Sequence, residues 1–209
     1  MHSNLVTWTS PIPIRPLNGP SLCLEPLEPS HERDLSEIAS HPDVWRYLRS
    51  NAESAEGMHS YVLAALKDLR MGSSIPFVVR ATANGRVLGM TRLKDLSAEN
   101  KKATIGSWLT PSAWGTGANS ESKFLLLQFA FEELGCNRIE FMTDARNLRS
   151  RAALTKLGAV EEGTLRSHLI MRDGHRRDSV VFSVIDMEWP IIKHRLARLL
   201  NANTTIPDH

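Results

Sequence analysis

Apolar positions along the chain fall into short strand-like runs and longer helical periods that follow one another in a definite order. Ser21 to Leu27 alternates for a few residues and then meets Pro26, as a short first strand does. Ser30 is a candidate N-cap for a helix with Glu32 and Asp34 in its first turn, Leu35 and Ile38 on its inner side and His41-Pro42 as its stop. From Glu53 to Met71, residues Met58, Tyr61, Val62, Ala65, Leu66 and Leu69 repeat at helical spacing, closed by Gly72. Between these helices, the aromatics of Val44 to Leu48 suit a core, with a pocket lining as the alternative.

Three strand signals come next: Pro76 to Ala81, Arg86 to Leu93 and Ala103 to Leu109, with Asn84-Gly85 predicting a two-residue hairpin between the first two. A glycine-containing loop leads into a helical run from Ser120 to Leu134, in which Phe124 to Phe131 is apolar on nearly every side and must pack on a sheet face. Arg138 to Thr143 is a strand reached by a helical crossover, which predicts parallel pairing with Ala103 to Leu109. Asn147 to Leu157 is a short helix stopped by Gly158. Thr164 to Arg172 and Arg176 to Met187 flank an Asp173-Gly174 turn, Val180 to Ile185 being the more buried strand, and a final helix runs from Glu188 to Leu200. These elements predict a mixed α+β fold, organised as a Pro-rich lead-in over 1–20, one domain over 21–200 and a polar, disordered tail over 201–209.

Composition narrows the function classes. With 25 Lys and Arg against 23 Asp and Glu, the net charge is only +2, so a nucleic-acid-binding reading would rest on the basic pI alone. Cys23 and Cys136 are isolated and fit a reducing compartment. The N-terminal stretch has three prolines and no central apolar run, which predicts neither a signal peptide nor a membrane anchor and a cytoplasmic protein. Eight histidines stand without a metal-ligand spacing, so no metal site is expected.

Chemistry concentrates in Leu109 to Ser120. Gly115 and Gly117, between a strand and a helix, suit either a tight turn or a backbone that presents free N–H groups to an anion at a helix N-terminus. The run lacks the third glycine of a dinucleotide fingerprint and the spacing of a Walker loop. A shorter phosphate-cradling loop remains.

The element order, the segment Trp114-Gly115-Thr116-Gly117-Ala118 and the later Asn147-Leu148-Arg149-Ser150…Leu157-Gly158-Ala159 resemble the GNAT superfamily of acyl-CoA-dependent N-acyltransferases, and within it the RimJ/RimL-type ribosomal-protein N-terminal acetyltransferases. The resemblance implies a mostly antiparallel twisted sheet, splayed between its fourth strand (Ala103 to Leu109) and its fifth (Arg138 to Thr143) and flanked by helices. It implies acetyl-CoA as co-substrate and a primary amine as acceptor, either a protein N-terminus or a small amine, attacked directly in a ternary complex by a monomer or homodimer. Acetyl-CoA is expected on Trp108, Leu109, Thr110, Trp114, Gly115, Thr116, Gly117, Ala118, Asn119, Ser120, Asn147 and Ser150, with a Leu109 N–H as oxyanion donor.

The family pattern for the loop is Gln/Arg-x-x-Gly-x-Gly/Ala. Trp114 and Asn119 depart from it at the two ends, and Asn119 either contacts phosphate through its side chain or caps the helix. Ser150 corresponds to a serine that serves as proton donor to the leaving thiolate, although Asn147 and Ser150 also suit the start of a helix. Leu154 and Met142 stand where many relatives carry a tyrosine and a glutamate. These absences motivate the alternative of a catalytically weak acyl-CoA-binding sensor. Asp144, Glu162 and His168 are then the candidate bases, His168 having the most useful intrinsic pKa. Arg176-Arg177-Asp178 reads as a solvated hairpin end or as a contact for an acidic peptide, and Cys136 as a structural thiol or an acyl carrier.

Overall fold

The computed structural model describes residue 12 and residues 14–204. Expectations for the rest of the lead-in and for the last five residues of the tail lie outside this range. One sheet organises the chain. Its strands are β1 (Leu17–Asn18), β2 (Leu22–Pro26), β3 (Ser74–Ala81), β4 (Val87–Ser97), β5 (Lys102–Leu109), β6 (Arg138–Asp144), β7 (Val160–Ile170) and β8 (Arg176–Ile185), in the spatial order β1-β2-β3-β4-β5-β6-β8-β7. Every neighbouring pair is antiparallel except β5 and β6, which the helical crossover makes parallel. The expected fourth and fifth strands are therefore β5 and β6, because β1 precedes the strand expected to be first.

Helices α1 (Glu32–Ala39) and α2 (Ala55–Arg70) cover one face of the sheet, while α3 (Ala118–Gln128), α4 (Leu148–Leu157) and α5 (Trp189–Thr204) cover the other. Two apolar layers result. Trp45, Met58, Val62, Met90 and Trp108 belong to the first layer, and Phe77, Ile105, Leu126, Phe182 and Leu196 to the second. Alternation along β5 sends Ile105 and Leu109 to the α3 side and Trp108 to the α1–α2 side. The apolar run predicted to pack on the sheet does so through Leu125 to Leu127, while Phe124 and Phe131 meet Trp189 of α5 at ring-centroid distances of 6.0 and 5.6 Å. Among the described residues no helix is long and apolar enough to cross a membrane.

Several local expectations are corrected. Ser30 is not the N-cap of α1: a 3-10 turn over Pro29–His31, capped by Glu28, precedes it. Asn84-Gly85 does not form a two-residue hairpin. Gly85 N donates to Ala81 O at 2.9 Å and a bulge at Val79/Arg80 shifts the register, so residues 82–86 all lie in the connection. The helical run is shorter than expected as an α-helix, because Phe129–Glu133 widens into a π-turn. α5 continues to Thr204, into the stretch expected to be tail.

A carboxylate ties the start of the chain to α3. Glu121 is only 2% exposed and accepts from Ser21 N at 2.8 Å, from Leu22 N at 2.9 Å and from the Ser21 hydroxyl. Gly19 is required beside it, since a Cβ there would lie 2.4 Å from Glu121 Oε1. Replacement of Glu121 by Ala leaves the Leu22 N–H buried without an acceptor, at about 1–3 kcal/mol, and removes two further bonds from the more exposed Ser21, at about 1 kcal/mol in net terms. Urea unfolding of Glu121→Ala is expected to show a loss of about 2–4 kcal/mol.

Candidate active site

The parallel ladder between β5 and β6 ends early. It runs from Lys102↔Arg138 to Ile105↔Phe141, whereas β5 continues to Leu109 and β6 to Asp144. Each diverging end is held on its outer side instead, β5 by β4 out to Gly89↔Leu109 and β6 by β8 out to Asp144↔Ser179. Gly89 makes the first of these possible: its φ is 150°, and a Cβ there would lie 2.2 Å from Trp108 O.

A cleft of about 720 Å³ opens between the two carboxyl-terminal strand ends. Thr110 N donates to Leu88 O at 2.8 Å, which fixes the antiparallel alternation with β4. By that alternation Trp108 pairs with Met90, and the N–H groups of Ser107 and Leu109 turn toward the opened side.

The glycine loop follows β5 directly. Gly115 and Gly117 have φ of 78° and 94°, and Gly117 is the N-cap of α3. Asn119 therefore does not cap the helix. Its Oδ1 accepts from Lys123 Nζ, one turn further along the same face, and both side chains line the cleft. Ser120 N and Glu121 N bond to Gly117 O, and Thr116 Oγ1 bonds to Ala113 O and lies 3.4 Å from Ala118 N. The N–H groups of Gly115, Thr116, Gly117 and Asn119 find no acceptor among the described residues. They remain as donors at the positive end of α3, and a Cβ added at Gly115 would meet nothing within 4 Å.

Trp114 fastens this loop to its surroundings. Its indole Nε1 donates to Leu109 O at 2.9 Å, and the Arg149 guanidinium lies 3.3 Å from its ring centroid. Arg149 comes from the first turn of α4, so one residue links β5, the loop and the helix after β6. Asn147 caps α4, its Oδ1 accepting from Ser150 N at 3.1 Å, and the Ser150 hydroxyl has no partner among the described residues. Both line the cleft, as do Trp108, Leu109, Trp114, Gly115, Asn119 and His168. Thr110, Thr116, Gly117, Ala118 and Ser120 do not reach its wall but shape the loop behind it.

Three residues at this site carry no signal as clear as the glycines. Lys123 is visible only as the residue four after Asn119, and Arg149 only as a neighbour of Ser150. Arg177, expected at a solvated hairpin end, is 7% exposed and lines the cleft. The cleft's cations are Arg49, Arg92, Lys94, Lys123, Arg149 and Arg177, against Asp43, Asp95 and Asp144. This excess suits an anionic ligand although the chain as a whole is nearly neutral.

The candidate bases differ in their surroundings. Burial raises the Asp144 carboxyl pKa, but hydrogen bonds from the Arg146 guanidinium and backbone more than offset this and hold it below the usual range. Glu162 is held at about 2 by hydrogen bonds from Arg138 and Ser183 and lies off the cleft. His168 lines the cleft with Nδ1 3.0 Å from Ser179 Oγ. Burial raises the Cys136 thiol to about 12, which leaves no thiolate to carry an acyl group at neutral pH. Among the described residues no cluster of three or more His, Cys, Asp or Glu is placed to hold a metal ion.

A glycine loop at a helix N-terminus beside two splayed parallel strands defines a cleft for an extended anionic ligand with a narrow arm. The chain belongs to the acetyltransferase (GNAT) domain family, which matches residues 21–160. It is 35% identical over 78% of its length, and 90% of the relative's, to the Bacillus subtilis protein named "Putative ribosomal N-acetyltransferase YdaF". Among solved structures, a GCN5-related N-acetyltransferase from Brucella melitensis superposes with a TM-score of 0.83 at 29% identity, covering 91% of this chain and 87% of that one. Mycobacterium smegmatis RimJ, in complex with CoA-disulfide, superposes with a TM-score of 0.75 at 25% identity, covering 88% of this chain and 92% of that one. The protein is thus an N-acetyltransferase that uses acetyl-CoA. The free loop donors, the cationic lining and the opened strand edge fit that co-substrate's phosphates and its pantetheine arm.

Lys123 makes the fit dependent on pH. Its burial lowers the ammonium pKa to about 8, and an anion beside it restores the charged form. Acetyl-CoA binding is therefore expected to take up protons near pH 8, with affinity constant below that pH and weakening above it. Calorimetry in buffers of different ionisation enthalpy reads this uptake, and Lys123→Met is expected to abolish it.

Proposed function

We propose that the protein acetylates a primary amine by direct attack of the amine nitrogen on the acetyl-CoA thioester within a ternary complex, the acceptor being a protein N-terminus or a small amine. The observation that carries this reading is the early end of the β5–β6 ladder, which leaves the Leu109 N–H turned into the cleft beside the loop. That N–H is suited to receive the thioester oxygen as it becomes an oxyanion. The loop N–H groups with Lys123 and Arg149 bind the phosphates, and the free amide nitrogen of Asn147 bonds the pantetheine arm.

Ser150 supplies the proton for the departing thiolate: its hydroxyl has no partner among the described residues and it lines the cleft. His168 receives the amine's proton, directly or through water. It is the candidate base that lines the cleft without an ion pair, since Asp144 is engaged by Arg146 and Glu162 by Arg138. A ribosomal protein as acceptor gains support from the likeness to the Bacillus subtilis protein named as a ribosomal N-acetyltransferase.

Initial-rate measurements with acetyl-CoA and a panel of amines and peptides test this. Intersecting double-reciprocal lines are expected, and Ser150→Ala is expected to lower kcat by about 10²–10⁴-fold with little change in acetyl-CoA affinity. Parallel lines would overturn direct attack. Tight acetyl-CoA binding without CoA release on any amine would favour a sensor.

A further inference from the structure

Among the described residues, two buried donors on side chains that line the cleft have no hydrogen-bond partner: Arg177 Nε and Trp108 Nε1. Both side chains are well buried, at 7% and 5% exposure, and both line the cleft. Each is positioned by the same stretch of chain. Arg177 Nη1 donates to Tyr47 O at 3.3 Å, and the Trp108 ring lies 5.2 Å from that of Trp45. The two residues come from β8 and β5, on opposite banks of the splay, and each touches a different residue of the Trp45–Tyr47 stretch at the end of the cleft that faces α1 and α2. This end lies on the α1–α2 side, whereas the phosphate loop and Lys123 belong to α3 on the other.

Burying the Arg177 Nε–H and an indole N–H without acceptors is costly, so these donors are matched to an acceptor that arrives with a ligand. None of the cleft's own carboxylates accepts from either donor, although the Asp144 charge acts on Arg177 through space. Asp144 is engaged by Arg146, Asp43 lies 3.9 Å from His41 Nδ1, and Asp95 lies 3.3 Å from Lys94 Nζ. Arg49 and Arg92 add positive charge to the lining, Arg92 being shared with Asp68 at 3.8 Å. A planar guanidinium with an unused N–H, on a cleft wall that carries a surplus of positive charge and a second unused donor, matches a carboxylate.

We propose that the acceptor amine carries a carboxylate close to its nucleophilic nitrogen, bound by Arg177 with Trp108 Nε1 as the second donor. The proposal rests on the assignment of this cleft to acetyl transfer. Its chemistry could come from a free amino acid or from an acidic residue near a peptide's N-terminus.

Matched acceptors separate these sources: β-alanine against propylamine, and Ser-Asp-Ala-Phe amide against Ser-Asn-Ala-Phe amide. In at least one pair the carboxylate-bearing member is expected to have a kcat/KM about tenfold higher or more. Arg177→Gln is expected to bring that ratio near one. Should this variant fail to fold, as read by its thermal melt, Arg177→Lys carries the same comparison, with a ratio reduced by loss of the planar fork. No preference in either pair, or a preference that survives the substitution, overturns the proposal.

A binding readout stands apart from catalysis. In protein labelled with ¹⁵N-tryptophan, millimolar propionate is expected to shift the Trp108 indole resonance, propionamide is not, and the shift is expected to vanish in Arg177→Gln. If no amine is acetylated while propionate still shifts Trp108, the carboxylate site stands and the acyl-transfer reading falls. If propionate leaves Trp108 unmoved while amines are acetylated, the carboxylate site falls alone.

Discussion

The structure turns on a pairing that stops. β5 and β6 form a parallel ladder over Lys102 to Ile105 and then separate, so each loses backbone partners at the end where a ligand enters. Unpaired backbone groups in a sheet are tolerable only where water or a ligand can reach them. The cost of the opening is limited because each strand keeps its outer neighbour to its last residue. Gly89 lets β4 follow β5 to that end, and Trp114 fills the remaining demand by donating to Leu109 O. The wedge is thus braced from outside while its inner edge stays available.

Charge is arranged by the same logic. The carboxylates on the cleft wall have cationic or basic neighbours of their own: Asp144 pairs with Arg146, Asp95 with Lys94, and Asp43 lies 3.9 Å from His41 Nδ1. The cations left on the cleft wall are partly desolvated, which lowers the pKa of Lys123, Arg149 and Arg177 alike. A desolvated cation gains more from an arriving anion than a hydrated one does, because water screens it less. The chain's small net charge therefore says little about its ligand, while the lining says a good deal.

Legibility in the sequence followed the range of the interaction. The glycine loop, the crossover that makes β5 and β6 parallel, and the Asn147 cap are set by residues near one another in the chain, and periodicity and turn chemistry expose them. The hairpin at Asn84-Gly85 shows the limit of local signals, since a bulge at Val79/Arg80 alters the register that the turn would have set. Arg177 shows a different limit. Its neighbours Arg176 and Asp178 are exposed, whereas Arg177 is buried and donates to Tyr47 O, 130 residues away in sequence. Lys123 and Arg149 became part of the site through a helix face and a ring stack, neither of which a linear motif records.

Glu121 reconciles two demands that conflict on paper. A carboxylate in the first turn of α3 complements the helix dipole, yet beside an anion-binding loop it would repel the ligand. The helix resolves this by rotation. Glu121 lies two positions from Asn119 and two from Lys123, more than half a helical turn from each, so its side chain leaves on the face opposite the cleft, toward the turn between β1 and β2. There it meets the N–H groups of Ser21 and Leu22 in a space that only Gly19 leaves open. Asn119 and Lys123 occupy the other face and keep the cleft side free of negative charge. The N-terminal strand pair therefore contributes to the site's electrostatics, because its donors hold the Glu121 carboxylate on the face away from the loop.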